Sequence, residues 1–142
     1  MIVQEKHQLI LCGTATGAVC VWNYSGDASF VAKIEGHTGK HLTSPFFNGK
    51  LDRVSCISAD KNDNKFVSGS HDKTVRLWEP DSAGNWDCTH TYSDHSQPIC
   101  CVETHGPIII SGANDTSLRI FGISRCAQMF CLQRVFTLCI LF

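Results

Sequence analysis

The feature that most constrains the fold of this chain is an internal repeat. Three segments align without gaps, at residues 12–22, 68–78 and 111–121, and they start 56 and 43 residues apart. In each segment a glycine is followed nine residues later by a large aromatic residue. Self-similarity at this period is typical of arrays in which one supersecondary unit is stacked on its neighbours. The sequence therefore predicts an array of repeated units rather than one irregular domain.

Each segment predicts a hairpin of two β-strands. In the second segment the apolar pair Phe66–Val67 precedes Gly69, the turn-forming residues 71–73 follow it, and polar and apolar residues then alternate through 74–77. Alternation with a period of two indicates a strand, and Gly, Asn or Asp between two such runs indicates the turn. Further short apolar runs flank the hairpins, at Val54–Ser58, Ile99–Val102, Phe30–Ile34, Cys88–Tyr92 and Phe130–Arg134. The sequence thus predicts four short strands per unit and an all-β fold.

The second segment carries a family resemblance. The run from Gly69 to Trp78 resembles the core of a WD repeat, and Gly36-His37 resembles its Gly-His dipeptide. The resemblance covers roughly residues 1–122, and it implies a partial β-propeller of about three four-stranded antiparallel blades in an incomplete ring. Within this single WD-repeat domain we expect a first blade at 1–37 that starts inside its first strand, an insertion loop at 38–53, a second blade at 54–95, a third at 96–134 and an apolar tail at 135–142.

The resemblance also implies a structural hydrogen-bonded chain of histidine, serine, aspartate and tryptophan in each blade. A buried carboxylate and a buried indole N–H both need hydrogen-bond partners, so such a chain makes physical sense. In the first blade Thr16 occupies the aspartate position, and we expect no network there. The implied residues are His37, Ser68 (with Ser70 as the alternative), Asp72 and Trp78 in the second blade, His95, Ser111 and Asp115 in the third, where Phe121 replaces tryptophan, and Trp22 in the first.

Catalytic and metal-binding interpretations of these residues are weaker. A histidine and an aspartate beside a serine resemble a catalytic triad, but a triad occurs once, whereas this set recurs from blade to blade. His37 and His41 have a spacing found in zinc sites, yet no CxxC pair or third ligand accompanies them. We predict no catalytic residue, no metal and no cofactor.

The insertion loop is the candidate partner-binding segment. Basic and aromatic side chains on one loop are characteristic of interaction hot spots. The alternative is a surface loop whose two phenylalanines pack back onto the propeller. The candidate residues are Lys40, His41, Phe46, Phe47, Lys50 and Arg53.

Composition restricts the partners and the compartment. The net charge of −1 argues against nucleic acid as the main partner. The nine cysteines include no CxxC pair, and the first residues, MIVQEKHQ, do not form a signal peptide. These observations predict reduced thiols in a cytoplasmic or nuclear protein. The apolar stretch 126–142 is interrupted by polar residues, so we expect no membrane span.

Three blades leave the two end faces of the array uncovered. Closed propellers have at least four blades, and repeat arrays need polar caps. We therefore expect either a truncated form or a chain that self-associates to complete a ring. The tail contributes an outer strand and the start of another blade, or it is a divergent end. The leading functional hypothesis is a non-catalytic protein–protein interaction scaffold or adaptor. One alternative is a basic-loop adaptor for RNA or a charged peptide tail, and another is a truncated product without independent function.

Overall fold

A computed structural model of the chain describes residues 1–37 and 53–123. These residues form eleven β-strands and no helix. The strands are β1 Ile2–Gln4, β2 Leu9–Gly13, β3 Ala18–Asn23, β4 Ser29–Glu35, β5 Val54–Ala59, β6 Phe66–Ser70, β7 Val75–Pro80, β8 Trp86–Tyr92, β9 Ile99–His105, β10 Ile108–Ala113 and β11 Leu118–Gly122. The all-β prediction is confirmed. The described residues accordingly contain no helix that is long and apolar enough to cross a membrane.

The strands form three antiparallel sheets in which each strand pairs with its neighbour along the chain. The first sheet has the order β1-β2-β3-β4, the second β5-β6-β7-β8, and the third β9-β10-β11. This arrangement confirms the predicted partial propeller of antiparallel units. The expected outer strand of the third unit, Phe130–Arg134, lies outside the described residues, as do the tail and residues 38–52 of the insertion.

Both faces of the second sheet are buried, because apolar side chains project from each of them. Val67 and Leu77 pack toward the third sheet, whereas Phe66 and Trp78 pack toward the first. Period-two alternation makes this possible, because successive side chains leave a strand on opposite faces. The core between the first two sheets contains Leu9, Leu11, Val19, Val21, Ile34, Val54, Phe66 and Trp78, and the core between the last two contains Val67, Val75, Leu77, Tyr92, Ile99, Val102, Ile109 and Phe121.

The repeated glycine lets neighbouring sheets approach closely. A Cβ atom built on Gly13 would lie 2.5 Å from Val54 Cγ1, and one built on Gly69 would lie 2.5 Å from Ile99 Cγ2. Real Cβ atoms do not tolerate such contacts in a close-packed interior. The first residue of β5 and of β9 therefore packs directly against the backbone of the preceding sheet.

A polar contact joins all three sheets at the edge that carries the β1–β2, β5–β6 and β9–β10 turns. Gln4 Nε2 donates to the carbonyl oxygens of Asp60, at 2.9 Å, and Asp63, at 3.1 Å. The Asp60 side chain, only 1% exposed, accepts a bond from Gly106 N at 2.7 Å. Burial alone would raise the pKa of the Asp60 carboxyl, but the N–H donors of Asn62, Asp63 and Gly106 outweigh it and lower the pKa.

The outward faces of the first and third sheets retain exposed apolar side chains. Phe30 on β4 is 59% exposed, and Ile108 and Ile110 on β10 are 46% and 37% exposed. Within the described residues no strand or helix covers these two faces.

Candidate interaction surface and its polar networks

The second sheet contains a buried hydrogen-bonded chain. His37 Nδ1 lies 2.9 Å from Asp72 Oδ2, and His37 Nε2 lies 2.7 Å from Ser68 Oγ. The carboxylate can only accept, so His37 donates to it from Nδ1. Trp78 Nε1 then donates to Ser68 Oγ at 2.8 Å. The structure thus brings together the four side chains that the resemblance implied.

Asp72 is held by the turn that follows β6. Its Oδ1 accepts bonds from Thr74 N at 2.9 Å and from Thr74 Oγ1 at 2.7 Å, and its backbone N donates to Ser70 Oγ at 3.1 Å. Burial alone would raise the pKa of Asp72, but the hydrogen bonds and charge of His37 and the bonds from Thr74 outweigh it, so the pKa is lowered. The carboxylate is therefore held in its charged form by its neighbours.

The third sheet repeats this chain without its last donor. His95 Nδ1 lies 2.9 Å from Asp115 Oδ2, and His95 Nε2 lies 2.8 Å from Ser111 Oγ. The buried aromatic residue at the tryptophan position is Phe121, which has no N–H to donate. Burial opposes ionisation of Asp115, but bonds from the Ser117 hydroxyl, Ser96 N–H and His95 hold its pKa well below the usual range.

The first sheet has no such chain within the described residues. Trp22 packs edge-on against Phe30, with ring centroids 5.8 Å apart, and Thr16 Oγ1 lies 3.1 Å from Thr14 Oγ1. Cys12 occupies the position that Ser68 has in the second sheet. Trp22 is therefore part of an aromatic contact rather than of a polar network.

The insertion leaves and rejoins the fold at two anchored points. His37 N donates to Gly17 O at 3.3 Å, and Val54 N donates to Thr14 O at 3.0 Å, so the β2–β3 turn holds both ends. His71 N donates to Arg53 O at 2.9 Å, which adds the β6–β7 turn of the second sheet. Arg53 is exposed. The other candidate partner-binding residues, Lys40, His41, Phe46, Phe47 and Lys50, lie outside the described residues.

The connection into the third sheet uses the same construction with a shorter segment. Asn114 N, in the β10–β11 turn, donates to Pro98 O at 3.0 Å, and only three residues separate His95 from Ile99. The three turns and the two connections therefore lie along one edge of the array. We call this edge, formed by residues 14–17, 71–74 and 114–117 with the insertion ends 36–37 and 53 and the connection 93–98, the turn edge.

Basic residues of the second hairpin do not form one patch. Lys73 lies in the turn, whereas Arg76 lies within β7, where its Nη1 is 3.7 Å from Cys88 Sγ and its Nε is buried. Among the described basic residues, Arg53 and Lys73 are the ones that belong to the turn edge.

The profile of the family described as WD domain, G-beta repeat, matches residues 28–79 and 86–122. The chain belongs to the WD-repeat family. In these terms the three sheets are WD blades, and the buried chains in the second and third blades occur at equivalent repeat positions.

Several curated proteins are similar to this WD-repeat chain. The ribosome biogenesis protein WDR12 homolog of Anopheles gambiae is 31% identical over 123 residues, which cover 84% of this chain and 26% of that protein. Pre-mRNA-processing factor 19 of Oryza sativa subsp. japonica is 35% identical over 57 residues, covering 40% of this chain and 11% of that protein. The chain thus spans about a quarter or less of the length of these relatives.

Solved structures show the same fold. The structure of U3-55K matches with a TM-score of 0.68 and 13% identity over 92% of this chain and 35% of the other. The RRP9 WD40 repeats match with a TM-score of 0.68 and 12% identity over the same shares. These identities are low, so the likeness concerns the arrangement of the blades.

The histidines of the WD blades are poorly placed for chemistry. His37 is 1% exposed and Ser68 is fully buried, so a substrate has no access to them. Across residues 1–37 and 53–123, no group of three or more His, Cys, Asp or Glu side chains is arranged to hold a metal ion. No catalytic family is indicated, and the WD-repeat family generally serves as a non-enzymatic scaffold.

Proposed function

We propose that this chain is a non-catalytic protein-binding scaffold whose contact surface is the turn edge together with the insertion, residues 38–53, whose two ends are held there. The observation that carries the proposal is the anchoring of the insertion, because the backbone bonds to Gly17, Thr14 and His71 hold both of its ends. A binding loop on a rigid scaffold loses less conformational entropy on association than a free loop.

The sequence of the insertion supports a protein partner. Phe46 and Phe47 are apolar, and the basic residues Lys40, Lys50 and Arg53 flank them in the sequence. Interface hot spots combine aromatic and basic side chains in this way. The partner surface that fits this loop has an apolar depression bordered by acidic residues.

The relatives suggest the setting of this activity. Proteins named for ribosome biogenesis and for pre-mRNA processing are among those similar to the chain. We extend this setting to the chain itself, as a nuclear scaffold in the assembly of an RNA-containing complex. The net charge of −1 favours contact with the protein components of such a complex rather than with its RNA.

The proposal is tested by quantitative affinity capture of tagged chain 1–142 from nuclear extract. A Phe46→Ser/Phe47→Ser variant changes the insertion, and a Lys61→Ser/Asn64→Ser variant changes exposed residues at the opposite edge of the second blade. We expect the first variant to lose its specific partners by about tenfold, the effect of losing one hot-spot contact, and the second to retain them. Thermal melts of all three proteins establish that the fold is unchanged. Equal recovery by both variants, or no specific partner with the wild-type chain, contradicts the proposal.

A second candidate function is recognition of RNA or an anionic peptide. Arg53 is exposed and its carbonyl is bonded by the turn that carries Lys73, so two positive charges belong to one segment of the turn edge. Such binding weakens steeply with salt, because counterions are released when phosphates are contacted. Binding of a labelled single-stranded RNA that is lost between low and physiological salt, and that depends on Arg53 and Lys73, supports this candidate. Salt-independent capture of proteins favours the scaffold.

A further inference from the structure

Two cysteines face each other across the first hairpin of the structure. Cys12 on β2 and Cys20 on β3 are direct partners in the antiparallel register. Two positions further along, Thr14 N donates to Ala18 O at 2.9 Å. Hydrogen-bonded pairs alternate along an antiparallel ladder, so Cys12 and Cys20 form a hydrogen-bonded pair, with Cα atoms about 5.5 Å apart. This Cα separation lies within the range of about 4.4–6.8 Å that disulfides span, and the Cβ atoms, about 5–5.5 Å apart in such a pair, must move about 1 Å closer for the bond to close.

Both thiols project to the accessible face of the first sheet. The neighbouring residues Leu11, Val19 and Val21 are fully buried against the second sheet. Because side chains alternate along a strand, Cys12 and Cys20 project to the opposite face, and both are partly exposed. Among the described residues no strand covers this face, so we expect a dissolved oxidant to reach both cysteines in the chain 1–142.

The first sheet differs from the other two at these positions. The equivalent residues are Ser68 and Arg76 in the second sheet and Ser111 and Arg119 in the third. In those sheets the serine is engaged by a histidine, whereas the contact of the Cys12 thiol is with Gly13 O, at 3.7 Å. Within the described residues, no histidine contacts the Cys12 thiol in the way that His37 contacts Ser68 and His95 contacts Ser111.

A positive charge lies beside the pair. Lys33 on β4 is the register partner of Cys20, and its Nζ is 2.6 Å from Glu35 Oε1. Because register partners project to the same side of a sheet, the Lys33 side chain shares the face that carries Cys12 and Cys20.

We propose that Cys12 and Cys20 form a dithiol–disulfide modification site that reacts with small disulfide oxidants such as glutathione disulfide. The thiolate of one cysteine attacks a sulfur of the oxidant, forms a mixed disulfide and releases one glutathione thiolate. The second cysteine thiolate then attacks the protein sulfur of that mixed disulfide, forms the Cys12–Cys20 bond and releases the second glutathione. The protein loses two electrons and two protons, and one glutathione disulfide becomes two glutathione molecules.

Cys56 provides an internal reference for this reaction. It lies in β5 against Gly69, and burial raises the pKa of its thiol to about 11. A buried thiol of high pKa reacts slowly with disulfides. We expect Cys56 to stay reduced under conditions that oxidise the pair.

The test is peptide mapping of the folded chain 1–142 after equilibration with glutathione and glutathione disulfide. Cys12 and Cys20 are the only cysteines in the tryptic peptide 7–33, and Cys56 lies in a separate peptide, 54–61. After acid quenching and alkylation in denaturant, peptide 7–33 is expected to lack alkyl groups and to have lost the mass of two hydrogens. The internal disulfide is expected to exceed the mixed disulfides of this peptide by about tenfold or more, because the second thiol reacts at a high effective concentration. Dithiothreitol restores two alkylatable thiols.

Variants and a denatured control separate this site from general thiol oxidation. Cys12→Ser and Cys20→Ser are each expected to leave one thiol that is alkylated or glutathionylated, whereas Cys88→Ser leaves the internal disulfide intact. Peptide 7–33 with two alkyl groups or two glutathiones after oxidation of the folded chain overturns the proposal. It is also overturned if the disulfide forms in denaturant as readily as in the folded chain, since the strand register would then play no part.

Discussion

At the residue scale, the serine at the centre of each buried chain shows what the tryptophan contributes. Ser68 is bonded by both His37 and Trp78, whereas Ser111 is bonded by His95 alone, because Phe121 has no donor. The second and third blades therefore contain the same network with and without its final hydrogen bond, respectively.

Replacing Trp78 by phenylalanine is expected to lower the free energy of unfolding by about 2–4 kcal/mol, because a buried hydrogen bond and part of a buried ring are lost. Urea denaturation of the purified chain measures this change. The matched control is Trp22→Phe in the first blade, where the half-buried indole makes no hydrogen bond within the described residues and the expected loss is below about 1 kcal/mol. Equal losses in the two variants would show that the bond to Ser68 contributes nothing.

The lowered pKa of Asp72 predicts that the stability of the fold depends on pH. Its folded-state pKa is lowered, so its contribution is fully present above the unfolded-state pKa of about 4 and is lost as the pH falls through the folded value. The stability difference between the wild-type chain and Asp72→Asn is therefore expected to be largest near neutral pH and to shrink in acid. Denaturation at a series of pH values tests this, with the exposed Asp87→Asn as a control whose difference stays small throughout. A difference that grows in acid would contradict the sign of the pKa shift.

At the element scale, the turn that closes each hairpin requires the same left-handed backbone conformation. The residue four positions after the repeat glycine has a positive φ in all three blades: 83° at Gly17, 71° at Lys73 and 61° at Thr116. Glycine adopts this conformation without strain, whereas a β-branched residue is disfavoured there. The first blade thus has the favourable residue at a position where the other two do not.

Thr116→Gly is expected to raise the free energy of unfolding by about 1 kcal/mol, because it removes this backbone strain. Thr91→Gly, at an exposed position in β8, is the control and is expected to lower stability, because glycine is unfavourable inside a strand. Thermal or urea denaturation of both variants decides the point. A loss of stability in Thr116→Gly would mean that the gain in unfolded-chain entropy outweighs the strain.

At the scale of the whole molecule, Asp60 connects blades that are distant in sequence. Its carbonyl is bonded by Gln4 of the first blade and its carboxylate by Gly106 of the third. Asp60→Ala is expected to lower the free energy of unfolding by about 1.5–3 kcal/mol, as the loss of hydrogen bonds to a charged group does, and to accelerate amide exchange at Gly106. The exposed Asp63→Ala variant is the control, with normal exchange at Gly106. Unchanged protection of that amide in Asp60→Ala would show that the blades do not depend on this contact.

The two end faces that no described strand covers predict association between copies of the chain 1–142. The exposed apolar residues are Phe30 on the first blade and Ile108 and Ile110 on the third, and we expect a head-to-tail contact between these two different faces. Light scattering is expected to show mass rising with concentration in the wild-type chain and a smaller rise in Ile108→Lys/Ile110→Lys. Thr89→Lys, at an exposed polar position, is the control and leaves the association unchanged. A wild-type chain that stays monomeric at high concentration contradicts this prediction.

The sequence by itself determined the strands and their order. Period-two alternation and turn residues are local properties, so the hairpins at 66–78 and 108–122 were predictable, and the recurrence of His, Ser and Asp at equivalent positions indicated which side chains meet. The insertion was also recognisable, by comparing the distance from His37 to Val54 with that from His95 to Ile99.

Several contacts within and between blades were decided by the tertiary structure alone. The contact of half-buried Arg76 with Cys88, the three-blade contact of Asp60 and the pairing of Cys12 with Cys20 left no signal in the repeat pattern. Each depends on strand register or on the way one sheet rests on the next, and these arise from close packing of many side chains at once. A repeat pattern shows that units stack, whereas the identity of the atoms that meet between them follows only from their arrangement in space.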